Sequence, residues 1–177
     1  NALKPYSGGG YSNSYISFQT LFTKYDPNKT SATFKEFENK EDVLRYVLTA
    51  IAPETKDADF SWKDFQTRNN SELVAILGNF INRVMVLSHK YYEGVVPVAS
   101  NLLEIDQQLI KDIQLFQEEI DHSIRHFKFR DGLFALMNIA RAGNKYLAEM
   151  EPWKLVKTDE TRTATVMFNA IQVCATL

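Results

Sequence analysis

From Asn39 to the C-terminus the apolar residues of this chain recur at helical spacing, and only short connectors separate one periodic stretch from the next. Between residues 61 and 92, Leu73, Ile76, Leu77, Phe80, Val84 and Leu87 fall on one side of a 3.6-residue helix. A helix with an apolar stripe has to bury it against another element, and short loops make consecutive helices antiparallel neighbours. The pattern predicts a mainly α fold, an antiparallel helix bundle over residues 39–177.

Local signals set the expected boundaries. In "NKEDVLRYVLTAIA" a helix starts behind Asn39 as cap, carries acids in its first turn and stops before Pro53. "PETKDADF" reads as a polar connector. Ser61 is followed three residues later by Asp64, a start resembling a capping box. Gly94 and Pro97 end the helix that follows. Further helices are expected over about 101–126, about 130–149, and from near Thr158 to the end. Residues 1–38 differ from the rest. "YSGGGYSNSY" is loop-like and Asp26-Pro27-Asn28 is a turn signal, so this segment reads as an irregular N-terminal arm or linker, separate from the helical unit 39–177.

Composition narrows the classes of function. The chain has 177 residues, 45% of them hydrophobic, enough for one domain with a substantial core. The formal net charge of -2 excludes a global basic field, so any nucleic-acid site must be a local patch. Cys174 is the single cysteine, which excludes an internal disulfide and a cysteine zinc cluster and fits a reducing, cytoplasmic compartment. The polar start "NALKPYSGGGYSNS" is not a signal peptide, and no apolar run is expected to span a membrane. The chain begins without methionine and stops inside the apolar pattern "FNAIQVCATL", which reads as a fragment of a longer protein.

A few constellations carry chemistry. Asn79 and Arg83 in "LGNFINR" stand one helical turn apart on the same face. A guanidinium supplies fixed donors and an amide supplies both a donor and an acceptor, a suitable pair for a base edge. Both also read as ordinary polar positions on a solvated face. Trp153 follows Pro152 at a corner between helices. An indole held there is a stacking platform for a base, or else the cap of the bundle core. Lys154, Lys157 and Arg162 are candidate phosphate contacts, while Asp159 and Glu160 more simply serve the N-terminus of the next helix. Glu119 and His122 have the Glu-x-x-His spacing of di-metal bundles, with His126 one turn on. The spacing occurs once, where such centres need it twice, so a solvated charged face is the simpler reading and no metal ligands are assigned. His122, Arg125, His126, Lys128 and Arg130 form a basic stretch. "SGGGYS" lacks the lysine and the spacing of a phosphate loop. Cys174 reads as a core residue.

Three features occur here in order: the Arg45-Tyr46 helix with its Asp-Ala-Asp-Phe connector, "NNSELVAILGNFINR", and "NKYLAEMEPW". Together they resemble the C-terminal helical region of bacterial methionyl-tRNA synthetases, over roughly residues 40–177. The resemblance implies the helical anticodon-binding domain of a class I synthetase. It implies that Asn79 and Arg83 read the wobble cytosine of a CAU anticodon and that Trp153, set by Pro152, stacks on an unstacked base. The implied partners are methionine tRNA, initiator and elongator, and the catalytic domain of the same chain, with no role for DNA or a membrane.

The family's His-x-Gly-His and Lys-Met-Ser-Lys-Ser signatures are absent, and "NKTSATFKEF" carries Lys and Ser without the motif. This chain alone is therefore expected to be inactive in methionine–tRNA ligation and to hold no cofactor. ATP and methionine, with Mg2+ and often Zn2+, belong by the resemblance to the longer enzyme. The alternative is a helical protein–protein docking module that reads no RNA.

Overall fold

The computed structural model describes residues 41–54 and 57–177. The chain divides into two units, Asn1–Asp42 and Val43–Leu177, and the second holds almost all of the described residues. The expected N-terminal arm and the Asn39 cap lie outside the described residues.

Helix α1 is Glu41–Ala50, with Glu41 and Asp42 in its first turn, where acids favour the positive end of the helix dipole. The next helix starts at Ser61, whose hydroxyl accepts the Asp64 N–H at 3.1 Å. It comprises α2 (Trp62–Arg68), a π-helical stretch (Asn69–Gly78) and α3 (Asn79–Tyr92). Tyr46 donates to the Glu72 carboxylate and ties α1 to the π-helical stretch. The stop expected at Gly94 is present: Glu93 and Gly94 both take left-handed backbone, with φ of 54° and 78°.

Helices α4 (Glu104–Arg125) and α5 (Phe129–Met150) form a hairpin. It turns at Phe127, φ 57°, where the Lys128 N–H returns to Ser123 O at 2.8 Å. The one-turn helix α6 (Pro152–Leu155) leads to α7 (Glu160–Thr176). Asp159 caps α7 by accepting the Arg162 N–H at 2.8 Å, the structural role its sequence position suggested.

The core is shared by four helices: Phe80 and Val84 from α3, Leu109 and Ile113 from α4, Ile139, Tyr146 and Leu147 from α5, and Val166, Met167, Ala170 and Val173 from α7. This is the expected helix bundle. Cys174 packs half-buried at its margin, where burial pushes the thiol up to about 11.

Two findings differ from the sequence reading. The Asn69–Gly78 segment is π-helical and buries none of its residues fully. In "LVAILG", residues 73–78, Val74 and Ala75 break into the one-sided spacing of Leu73, Ile76 and Leu77, so periodicity marked a helix without selecting its pitch. The continuous helix Trp62–Tyr92 also contains an 18-residue window long and apolar enough to cross a membrane by length and composition, contrary to expectation. Its Phe80, Val84 and Ser88 are instead buried within the bundle.

Candidate nucleic-acid interface

Asn79 is the first residue of α3, where the helix leaves its π-helical stretch, and Arg83 follows one turn later. Phe80, between them, points into the core and is fully buried, so Asn79 and Arg83 emerge at the bundle's edge. On the facing helix, Gly143 permits a close approach. A Cβ there would lie 2.5 Å from the Phe80 ring. The next residue, Asn144, donates to Ile76 O at 2.9 Å and to Ala140 O at 3.1 Å, and its Oδ1 meets the Asn79 amide nitrogen at 3.5 Å.

The corner after α5 supplies the indole. Glu151 takes φ 41°, which ends α5, and its N–H returns to Leu147 O at 3.1 Å. Pro152 is buried at the first position of α6, where its missing N–H costs no helical hydrogen bond. Trp153 is left half-buried at the surface. The Arg83 guanidinium carbon lies 5.2 Å from the centroid of the Trp153 ring, a cation–π distance. The structure thus brings Arg83 against Trp153 and Asn79 one turn from Arg83.

The three candidate phosphate contacts separate. Lys157 is exposed. Lys154 is exposed as well but pairs with Glu151 at 2.7 Å, a surface ion pair worth little and easily exchanged. Arg162 is a correction. Its side chain is 10% exposed, and its two terminal nitrogens are bound by the fully buried Asp106, one of them at 2.8 Å. Tyr146 donates to the same carboxylate, and Asn169 donates to the Tyr146 hydroxyl at 3.2 Å. Burial alone would raise the Asp106 pKa, but the hydrogen bonds from Arg162, Tyr146 and the Leu103 N–H outweigh it and hold the carboxyl below its usual range. Asp106 takes both terminal nitrogens of Arg162, and the Arg162 Nε, which has no partner among the described residues, is buried away from any phosphate. The network joins the start of α4, the end of α5 and the start of α7, and so braces the corner that carries Trp153.

His122 and His126 stack at 4.1 Å between ring centroids on the exposed face of α4, and Glu119 is exposed beside them. Among the described residues no group of three or more His, Cys, Asp and Glu could hold a metal ion. Sequence reasoning missed Asn144. The available signal was a Gly-Asn pair, both poor helix formers, inside the apolar pattern of α5.

Residues 96–177 match the family described as the anticodon binding domain of methionyl tRNA ligase. Residues 28–85 match class I tRNA synthetases of the methionine type, so the match reaches back into the segment read as an arm. The methionine–tRNA ligase of Christiangramia forsetii is 57% identical over 143 residues, 81% of this chain and 21% of the relative. That of Parabacteroides distasonis is 58% identical over 142 residues, 80% of this chain and 21% of the relative. The chain therefore spans about a fifth of the length of these curated relatives. Mycobacterium tuberculosis methionyl-tRNA synthetase in complex with methionyl-adenylate shares the fold, with a TM-score of 0.75 at 23% identity over 87% of this chain and 31% of that one. On these matches, the chain belongs to the methionyl-tRNA synthetase family and lies in the region of that family's anticodon-binding domain.

Proposed function

We propose that this chain recognises the CAU anticodon of methionine tRNA, both initiator and elongator, and contributes binding without chemistry of its own. The observation that carries the reading is the convergence of Arg83 on Trp153, with Asn79 one turn away. A splayed base needs a π-face to stack on and polar groups at its edge, and this corner offers both within one patch. In the proposal Trp153 stacks on the wobble base, Asn79 and Arg83 read its edge, and the buried Pro152 fixes the corner. Lys157 and, after exchange from Glu151, Lys154 meet phosphates. The unit 39–177 is the reader. Activation of methionine with ATP falls to a catalytic domain in the remainder of a longer cytoplasmic ligase.

The test is a binding titration of this chain against an anticodon stem-loop carrying CAU and one with the wobble cytosine replaced by uracil, repeated across salt concentrations. Preference for CAU and a steep loss of affinity with salt are expected, because phosphate contacts release counterions. Equal affinity for the two stem-loops, or no binding at low salt, would refute the proposal.

One observation favours a docking module instead. Ile124, Phe127 and Phe134 are 53%, 76% and 63% exposed along the α4–α5 hairpin. An apolar face of that kind suits a protein partner, whose binding would depend only weakly on salt.

A further inference from the structure

The hydrogen bonds around Asn144 fix more than its own position. Its amide nitrogen faces two carbonyl oxygens, Ile76 O at 2.9 Å and Ala140 O at 3.1 Å. Carbonyl oxygens only accept, so the atom facing them must be the amide nitrogen. With the nitrogen placed there, Oδ1 of Asn144 turns toward Asn79, and an oxygen in that position calls for a donor. Asn79 supplies its Nδ2 at 3.5 Å. The polarity is thereby passed on. With Nδ2 turned inward, the Asn79 Oδ1 is left on the other side of the amide, and the side-chain hydrogen bond that Asn79 makes to Asn144 runs through Nδ2 and not through this oxygen. Asn79 is exposed, so this oxygen is open to a ligand.

We propose that Asn144 is a positioning residue that sets which way Asn79 reads a base: amide nitrogen inward, acceptor oxygen outward. The inference rests on the anticodon-reading proposal and deepens it. An outward acceptor complements the exocyclic amine of cytosine and opposes the O4 acceptor of uracil. A freely turning asparagine could present its nitrogen as readily as its oxygen and would accept either pyrimidine. Preference for cytosine then depends on a residue that never touches the base. Gly143 contributes by letting α5 approach α3 closely enough for the two amides to meet.

The experiment compares affinities of this chain for three stem-loops that differ only at the wobble base: cytosine, uracil, and pyrimidin-2-one, which is cytosine without its 4-amino group. The unmodified chain should bind the cytosine stem-loop about tenfold better than either of the others. Asn144→Ala should bind all three nearly alike, with the loss confined to cytosine. A merely structural role would lower all three together. Asn144→Ser keeps a hydroxyl donor for a backbone carbonyl but presents no amide oxygen, and should also lose the preference. Should neither variant fold, the pyrimidin-2-one comparison on the unmodified chain still tests the outward acceptor. Equal binding of cytosine and uracil by the unmodified chain overturns anticodon reading and this inference with it. Cytosine preferred over uracil but pyrimidin-2-one bound as well as cytosine overturns this inference alone. So does a preference that survives in a folded Asn144→Ala.

Discussion

The guanidinium of Arg83 rests on the indole of Trp153, at 5.2 Å from its centroid, although the two residues lie on different helices and far apart in sequence. Trp153→Ala should remove the stacking platform and weaken stem-loop binding by about 1–3 kcal/mol, whatever base occupies the wobble position. Affinities for cytosine and uracil stem-loops, measured by fluorescence anisotropy, would check both the size of the loss and its uniformity.

Arg83→Ala should behave differently. The contact at the protein surface contributes only about 0.5–1 kcal/mol to folding, so thermal stability should change little. Preference for the wobble cytosine should drop by about 1 kcal/mol, most of a tenfold preference. A melting curve beside the same titration separates the two effects, and a variant that keeps its preference would remove Arg83 from the reading edge.

Arg162→Ala should act on folding. It strands the Asp106 carboxylate in the core, and breaking a buried pair of this kind costs about 3–5 kcal/mol. The pH dependence follows from the same group. The Asp106 pKa is lower in the folded state than in the unfolded chain. Its contribution to stability is therefore complete above the unfolded value of about 3.9 and is lost as pH falls through the folded value. Urea denaturation from pH 7 down into the acid range should show stability falling below about pH 4 in the native chain, with that component missing in Asp106→Asn.

Gly143→Ala should destabilise the bundle despite alanine's better helix propensity. The propensity gain is about 1 kcal/mol. The new methyl would stand 2.5 Å from the ring of Phe80, which is fully buried and has no solvent to move into. Overpacking of this sort costs about 1–3 kcal/mol and pushes α5 away from α3. Denaturant midpoints would give the net sign, and a stabilised variant would show that the two helices can separate freely.

Lys157→Gln should lower affinity for all stem-loops alike and flatten the salt dependence by about 0.7 in the slope of log K against log salt, the value for one contact to a single-stranded phosphate. Lys154→Gln should flatten it less, because Lys154 is already partly neutralised by Glu151.

The sequence by itself determined the helices and their punctuation. Ser61 and Asp159 cap as expected, Gly94 stops α3, and the Pro152 corner exposes part of Trp153. These are local effects: an apolar period, an orphan N–H met by a nearby oxygen, a backbone angle that few residues tolerate. Tertiary structure decided the rest, because it depends on which helices become neighbours. Arg162 looked like a free cation in a Lys-rich stretch, yet its partner is Asp106, a residue on α4 that α7 meets only in the folded bundle. Arg83 and Trp153 were separate candidates until α3 and the corner after α5 packed together. The Gly143-Asn144 pair marked an unusual place in α5 but not what Asn144 does there, because it holds groups on another helix. The pitch of Asn69–Gly78 was open for another reason, since an apolar period marks a helix but does not separate a π-helical stretch from an α-helical one.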